Sequence, residues 1–432
     1  MRLPRPKLMS GRGNARPRAT GSLISAYAVD AVPRSFWLVD SPTATQSWDR
    51  ADVLHIKGWV ASPVPVDKIW FVDPAIEGTK VLRRTERPDV AEIYGLYTSG
   101  FEAELPVALL GSRETVEIAY LSDDETTTIV VPAQDRSVPE ADARAAKRRR
   151  LVNVLRCPTC RGRLTHHVGS FACQHCLSRY AETDSSLDFL PDELRSAFMI
   201  APTDNVSSNS YDGTAINIIN RLRDGLILDC GAGSQAVYYP NVVNLEIVDY
   251  PSTDVLSVGE RLPFADGSFD GVFSFAVLEH VKNPFDCAAE IVRVLKPGGV
   301  LYCQVPFLQP VHAYPNHFYN MTSQGLRTLF SSLEVTHDGT FPFGQPIFSL
   351  TWILGVYASS LPAETAARFK AMTVEELMAP ANSFLAADFV NDLSTETKDV
   401  LSACNYVVAR KPLTMVAGRP RRSSAARPLP LR

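Results

Sequence analysis

The stretch between residues 226 and 305 constrains the fold of this 432-residue chain more than any other. Leu226-Ile227-Leu228-Asp229 is a short apolar run ending in an acid, and Cys230-Gly231-Ala232-Gly233-Ser234 follows at once. A second apolar run occupies 242–247. Short apolar runs bounded by turn signals read as buried strands. Glycines directly behind such a strand let a backbone approach a ligand closely. Further on, 271–275 reads as a strand and 285–295 carries apolar residues at helical spacing. Lys296-Pro297-Gly298-Gly299 stops that helix ahead of a strand at 300–305. Strands alternating with helices define an α/β domain.

The residues between these elements say more than a lone Gly-x-Gly. They are Arg261-Leu262-Pro263-Phe264, Asp266-Gly267-Ser268-Phe269-Asp270, Val277-Leu278-Glu279-His280-Val281 and Asn283-Pro284. In this order, with Leu295-Lys296-Pro297-Gly298-Gly299 behind them, they resemble the class I S-adenosylmethionine-dependent methyltransferases. The resemblance spans residues 205–410. It implies a doubly wound, Rossmann-like sheet of about seven strands, the last of them antiparallel and placed at 403–410.

The resemblance also implies S-adenosylmethionine as cofactor. Carried over by position, Asp229, Gly231 and Gly233 form the loop under its methionine moiety, where main-chain N–H groups favour a carboxylate. Glu246 takes the ribose hydroxyls, with Asp249 the near alternative. Gly259 and Glu260 lie along the adenine edge, and Phe275, Ala276 and Leu278 close the cofactor wall. The chain departs from the pattern twice: Ser234 stands for the third glycine, and Val258 for the acid that usually meets adenine.

A methyl acceptor with a hydroxyl nucleophile benefits from a general base and from positioning. Groups for this belong on loops at the carboxyl edge of the sheet. Two clusters qualify: Glu279-His280, and the run His312-Ala313-Tyr314-Pro315-Asn316-His317-Phe318-Tyr319. The second resembles the H-x-Y-P-x-H-[FY] stretch of methyltransferases encoded with glycan-assembly enzymes. His312, then His317, is the expected base, with His280 a further catalytic candidate. Tyr314 and Tyr319 are expected to bind the acceptor. No carboxylate lies inside the second cluster, which argues against a metal there. Helices expected at 351–361 and 363–378 would lid the pocket, with Trp352 and Tyr357 reaching in.

Cys157-Pro158-Thr159-Cys160 and Cys173-Gln174-His175-Cys176 are two C-x-x-C pairs, a spacing that predicts a closed, structural Zn2+ site of four thiolates. The segment from Leu155 to Leu190 resembles the zinc ribbon that precedes the catalytic domain in several methyltransferase families, some of which act on ribosomal RNA. The other cysteines, Cys230, Cys287, Cys303 and Cys404, read as small buried hydrophobes in a reducing compartment.

Ahead of the ribbon, short β-rich runs at 35–39, 53–62, 68–72, 79–85, 101–107, 115–121 and 127–131 predict an all-β sandwich over 26–135. Gly58-Trp59, Arg87-Pro88-Asp89 and Gly100-Phe101 resemble small sandwich modules fused to enzymes of bacterial surface-polysaccharide synthesis. Such a module would dock a glycosyltransferase, another assembly partner or a glycan. The expected organisation is multidomain: basic tail 1–25, sandwich 26–135, basic helical linker 136–150, zinc ribbon 151–195, α/β domain 196–412 and basic tail 413–432.

The formal net charge of −4 conceals an asymmetry. Residues 1–20 hold six Arg or Lys and residues 416–432 hold five Arg, with no acid in either, so the remainder carries −15. No apolar run is long enough for a membrane span. These features predict a cytoplasmic protein whose tails bring it to an anionic surface, such as the inner face of the membrane. Three functional readings follow. The first is O-methylation of a sugar or glycan intermediate. The second is RNA methylation through the ribbon and the eight basic residues of 144–163, which the acidic body weakens. The third is a non-enzymatic scaffold.

Overall fold

A computed structural model describes residues 36–41, 53–77, 82–94, 96–111, 113, 115–133, 140–203, 206–208, 210–312, 316–340, 344–408 and 410. Both expected basic tails lie outside the described residues.

Among the described residues, seven strands form the N-terminal part: β1 (Phe36–Ser41), β2 (Val53–Ser62), β3 (Val66–Phe71), β4 (Arg83–Thr85), β5 (Tyr97–Pro106), β6 (Thr115–Ser122) and β7 (Glu125–Pro132). They make one antiparallel sheet of order β1-β2-β5-β4 and another of order β3-β6-β7. Alternate residues of each strand face one shared core: Leu54 and Ile56, Phe101, Ala103 and Leu105, Val116, Ile118 and Tyr120, Ile129 and Val131. A period of two is what half-buried strands require.

The chain continues into helix α1 (Glu140–Val154), which runs past the expected end of the linker. Four short strands follow, β8 (Leu164–His167), β9 (Ser170–Cys173), β10 (Arg179–Glu182) and β11 (Leu187–Asp188), then helix α2 (Gly213–Arg221). The α/β part holds β12 (Ile227–Cys230), β13 (Val242–Glu246), β14 (Val255–Leu256), β15 (Phe269–Phe275), helix α3 (Pro284–Val294) and β16 (Leu295–Gln304). One nine-stranded sheet results, of order β16-β15-β12-β13-β14-β11-β10-β9-β8. Its first half is parallel, and β11 joins β14 in parallel register through Leu187↔Val255 and Asp188↔Leu256. The cysteine hairpin therefore extends the parallel sheet. Their side chains also merge: Leu151, Leu155, Phe171, Tyr180 and Phe189 share a core with Leu228, Val243, Phe264, Phe269 and Ile291.

Polar ties reinforce this junction. Arg156 N donates to Pro263 O at 2.8 Å and Ala265 N to Val154 O at 2.8 Å. Arg161 meets Glu290 of α3 at 2.7 Å. Arg293 donates to Phe264 O at 2.7 Å, to Asp266 at 2.8 Å and to Glu290 at 2.8 Å. The Leu262-Pro263-Phe264 motif is thus held from both sides.

The N-terminal sheets dock on α2. Val130 N of the edge strand β7 donates to Asn217 Oδ1 at 2.8 Å, Asn217 Nδ2 donates to Thr128 O at 2.6 Å, and Asn220 Nδ2 to Val130 O at 2.7 Å. Two helical amides satisfy backbone groups that an edge strand would leave bare. Asn217→Ala strands these groups in a buried junction. It should lower stability by about 1–3 kcal/mol in denaturant unfolding; an unchanged midpoint would deny the junction this role.

Two expectations need correction. Residues 403–410 form no strand among the described residues, and the parallel sheet ends at β16. Tyr406, Val407 and Val408 have the composition of a strand but are about nine-tenths exposed. A strand is made by its pairing partner. The segment before it folds as helices, as expected, α4 (Pro346–Ser359) and α5 (Ala363–Ala371), around a separate core of Ala358, Leu361, Ala366, Phe369 and Leu393. Cys404, expected to be buried, is likewise exposed. Secondly, helix α3 already stops at Val294, because Leu295 takes extended geometry. Lys296-Pro297-Gly298-Gly299 is a bulge within β16, where the register steps from Phe269↔Leu295 to Gly271↔Val300.

Candidate active site and thiolate cluster

The carboxyl ends of β12, β13 and β15 converge as a ligand site at a parallel sheet edge requires. Gly231 and Gly233 follow β12 with φ of +89° and +64°, a region that favours glycine. A Cβ at Gly231 would sit 2.4 Å from Val277 Cγ2, and one at Gly233 2.8 Å from Ser207 O. Asp229 is buried at the end of β12. Its Oδ2 accepts Tyr211 OH at 2.6 Å while Oδ1 accepts nothing. Burial pushes its carboxyl up to about 6, against the Tyr211 bond.

Glu246 ends β13, and burial, helped by the charge of Asp229, pushes it up to about 7. Asp249, the alternative ribose acid, is exposed and accepts Ser185 Oγ of the hairpin at 3.3 Å. Gly259 and Glu260 lie in one 3-10 turn after β14. Gly259 faces the Cys287 sulfur, and buried Glu260 accepts Asn283 N at 3.4 Å, its carboxyl raised by burial. Phe275 closes β15, its ring 4.9 Å from that of Tyr302. Ala276 turns the chain with φ +53°. Leu278 is fully buried in the main core.

Sequence reasoning missed Tyr211 and the network beside it. Asp212 caps α2 through Ala215 N and accepts Tyr302 OH at 2.6 Å and Gln304 Nε2 at 3.1 Å. The signal available was an acid at a helix start, which is also common in helices with no site.

The two acceptor clusters, 32 residues apart from His280 to His312, come together. Phe318 N and Tyr319 N donate to Glu279 O at 2.7 and 3.3 Å and strap the second loop to the first. Ring centroids of His280 and His312 lie 5.1 Å apart, and those of His312 and His317 4.5 Å apart. Glu279 is fully buried, and burial pushes its carboxyl up to about 7. Burial lowers both His280 and His312 from their ordinary values. His317 Nε2 donates to Asn320 Oδ1 at 2.9 Å, and its Nδ1 accepts His312 N at 3.2 Å. Both its nitrogens are engaged, whereas His312 keeps Nε2 free of any hydrogen bond the structure gives. Tyr319 is half-exposed, and Tyr314 lies outside the described residues. Trp352 of α4 comes within 5.2 Å of His312. Tyr357 instead stacks on Phe369 and donates to Phe389 O, away from the loop.

At the hairpin, the four sulfurs of Cys157, Cys160, Cys173 and Cys176 lie within 4.8 Å of one another. The Cys157–Cys176 and Cys160–Cys173 separations are 3.5 and 3.4 Å. Donors surround them: Tyr180 OH at 3.1 Å from Cys157, Ser178 Oγ at 3.2 Å from Cys176, and the N–H groups of His175 and Cys176 on Cys173. Such donors stabilise thiolates, and the spread fits a tetrahedral ion with ~2.3 Å bonds to sulfur.

Residues 228–303 match the family model described as "Methyltransferase domain". That match lies within the C-terminal α/β unit and covers β12 to β16. Over 143 residues the chain is 30% identical to a demethylmenaquinone methyltransferase of Renibacterium salmoninarum, covering 27% of this chain and 60% of that one. A demethylmenaquinone methyltransferase of Parafrankia sp. is 42% identical over 78 residues, 17% of this chain and 31% of that one. The chain thus spans less than two thirds of these curated relatives. Among solved structures, the [4+2]-cyclase SpnF matches at 20% identity with a TM-score of 0.20, over 30% of this chain and 61% of that one.

Proposed function

We propose that this chain is an S-adenosylmethionine-dependent methyltransferase acting on a hydroxyl of a sugar or glycan intermediate in cell-surface polysaccharide synthesis. The observation that carries the methyltransferase reading is the pair of left-handed glycines between Asp229 and Glu246, together with the half-buried histidine cluster next to buried Glu279. When bound, the cofactor supplies a methyl group already activated on a sulfonium. Gly231 and Gly233 admit its carboxylate to the backbone, Glu246 accepts its ribose hydroxyls, and Asp229 holds Tyr211 over the loop. His312 Nε2 takes the acceptor's proton, and His317 fixes the His312 backbone.

The glycan part rests on the resemblance of the 312–319 loop and on the N-terminal pair of sheets, read as a sandwich module for an assembly partner. The thiolates read as structural Zn2+. No helix of the described residues is long and apolar enough to cross a membrane. We place the chain in the cytoplasm, at the inner face of the membrane.

A second acceptor class is favoured by one observation. Phe307, Leu308, Val311, Ile347, Phe348 and Leu350 are exposed large apolar side chains on the segments flanking His312 and Trp352. They suit an acceptor with an apolar tail, in keeping with the quinone named for the relatives. RNA is less favoured. Within 144–163, Arg144 bonds Glu140 and Pro251 O, Arg148 bonds Glu182, Arg150 bonds Asp224 O and Arg161 bonds Glu290, so these guanidiniums are committed.

The test joins binding to turnover. Glu246 must be ionised to accept two hydroxyls, so cofactor affinity should rise about tenfold between pH 6 and pH 8. Calorimetry should find this rise absent in Glu246→Gln, and a flat wild-type profile would remove Glu246 from the site. His312→Ala should cut turnover on the correct acceptor ~10²–10⁴-fold. No cofactor heat in the wild type would favour a scaffold.

A further inference from the structure

The buried carboxylate of Glu279 is not accounted for by methyl transfer. It is fully buried, and neither oxygen has a hydrogen-bond partner. The nearest cationic candidate is His280, whose Nε2 lies 3.7 Å from Glu279 Oε1. A buried carboxyl without donors is satisfied either by taking up a proton or by an opposite charge that meets it. The groups around it are arranged to supply lone pairs. His280 Nδ1 donates to Asn316 O at 2.6 Å, and His312 Nδ1 to Pro310 O at 3.0 Å. Each imidazole is therefore fixed with Nε2 as its acceptor. A backbone carbonyl on one nitrogen is the usual orienting partner of a metal-bound histidine.

One ligand atom from each of Glu279, His280 and His312 lies within 4.8 Å of the others. Bonds of ~2.0–2.2 Å to a central ion need a contraction of about 1 Å, within reach of side-chain rotation. His317 stays outside this set, because Asn320 and the His312 backbone occupy its nitrogens.

We propose that Glu279, His280 and His312 form a binding site for a divalent first-row transition-metal cation, separate from the thiolate cluster. Two imidazoles and one carboxylate select such ions over Mg2+ or Ca2+, and three ligands leave positions open. The acceptor's oxygen would complete the shell; that clause alone rests on the proposed function. The same His312 lone pair that would take a proton is here a ligand. The sequence keeps Glu279-His280 and His312 32 residues apart, and only the strapping of the second loop through Glu279 O creates the set.

The full chain, preloaded with one equivalent of Zn2+ to fill the thiolates, is titrated with Co2+ and followed by visible absorption. One further Co2+ per chain is expected, with weak d–d bands and no thiolate charge-transfer band. Glu279→Gln and His312→Ala, on separate segments, should each weaken Co2+ binding at least about tenfold, the loss that even outer partners of a site produce. Cofactor calorimetry on both variants should match the wild type, which separates ligand loss from misfolding. No Co2+ beyond the thiolates, or equal binding in both variants, overturns the site. A wild type that binds cofactor but no Co2+ refutes this inference alone; one that binds Co2+ but no cofactor refutes the proposed function alone.

Discussion

Cys173→Ser should cost the chain far more than its hairpin. A structural zinc ion contributes about 10–16 kcal/mol of apparent folding energy in small peptides, comparable with the ~5–15 kcal/mol stability of a whole domain. Here the hairpin does not end at the four cysteines. β11 pairs with β14, Phe171 and Tyr180 share the core of Phe264 and Phe269, and Arg161 holds Glu290. Losing one thiolate should therefore unfold the hairpin and loosen the Leu262-Pro263-Phe264 loop with it. The expected readings are one zinc per chain by mass spectrometry in the wild type, none in the variant, and a melting temperature lowered by ten degrees or so at least. Strong chelator should reproduce the fall. A variant that melts with the wild type and holds no metal would show that packing alone carries the hairpin.

Lys147→Ala should be the most damaging single change outside the cysteines. The ammonium is buried, donating to Val242 O and to Asp254 Oδ2, the latter at 2.8 Å, and it stands 3.7 Å over the Tyr238 ring. Asp254 also receives Tyr238 OH at 2.6 Å and Asn244 N at 2.9 Å. Removing the lysine leaves a buried carboxylate short of its counter-charge, which costs ~3–5 kcal/mol. Denaturant unfolding should show that loss, and Lys147→Met with Asp254→Asn should recover part of it. If the double variant is as unstable as the single one, packing and not charge is the cause.

The pH dependence of the same site has a definite sign. Burial pulls the Lys147 ammonium down to about 8 from an ordinary 10.5, although Asp254 opposes the fall. Between these values the unfolded chain binds the proton more than the folded one, so this group raises stability as pH climbs through that window. Lys147→Met should lack the contribution.

Much of the α/β unit was legible in the sequence because its signals are local. Apolar runs before Gly231 and Gly233 and the helical spacing of α3 each report on a few neighbouring residues. The same holds for two C-x-x-C pairs, whose spacing brings four sulfurs within 4.8 Å. The expected strand at 403–410 failed for the complementary reason. Its residues favour a strand, but only a neighbour could have made one, and α4 and α5 fold ahead of it around their own core.

By itself, then, the sequence determined most of the α/β elements, the glycine loop after β12 and the clustering of four cysteines, since propensity, spacing and φ are properties of short segments. The tertiary structure decided which of them meet. It buried Lys147 from a stretch that reads as a solvated basic linker, because a helix face finds Asp254 only once the sheet exists. It continued the parallel sheet into the cysteine hairpin through two register pairs. It also carried His312 to Glu279 and His280, because hydrogen bonds between distant residues form where the folded backbone places them, and no local pattern encodes that distance.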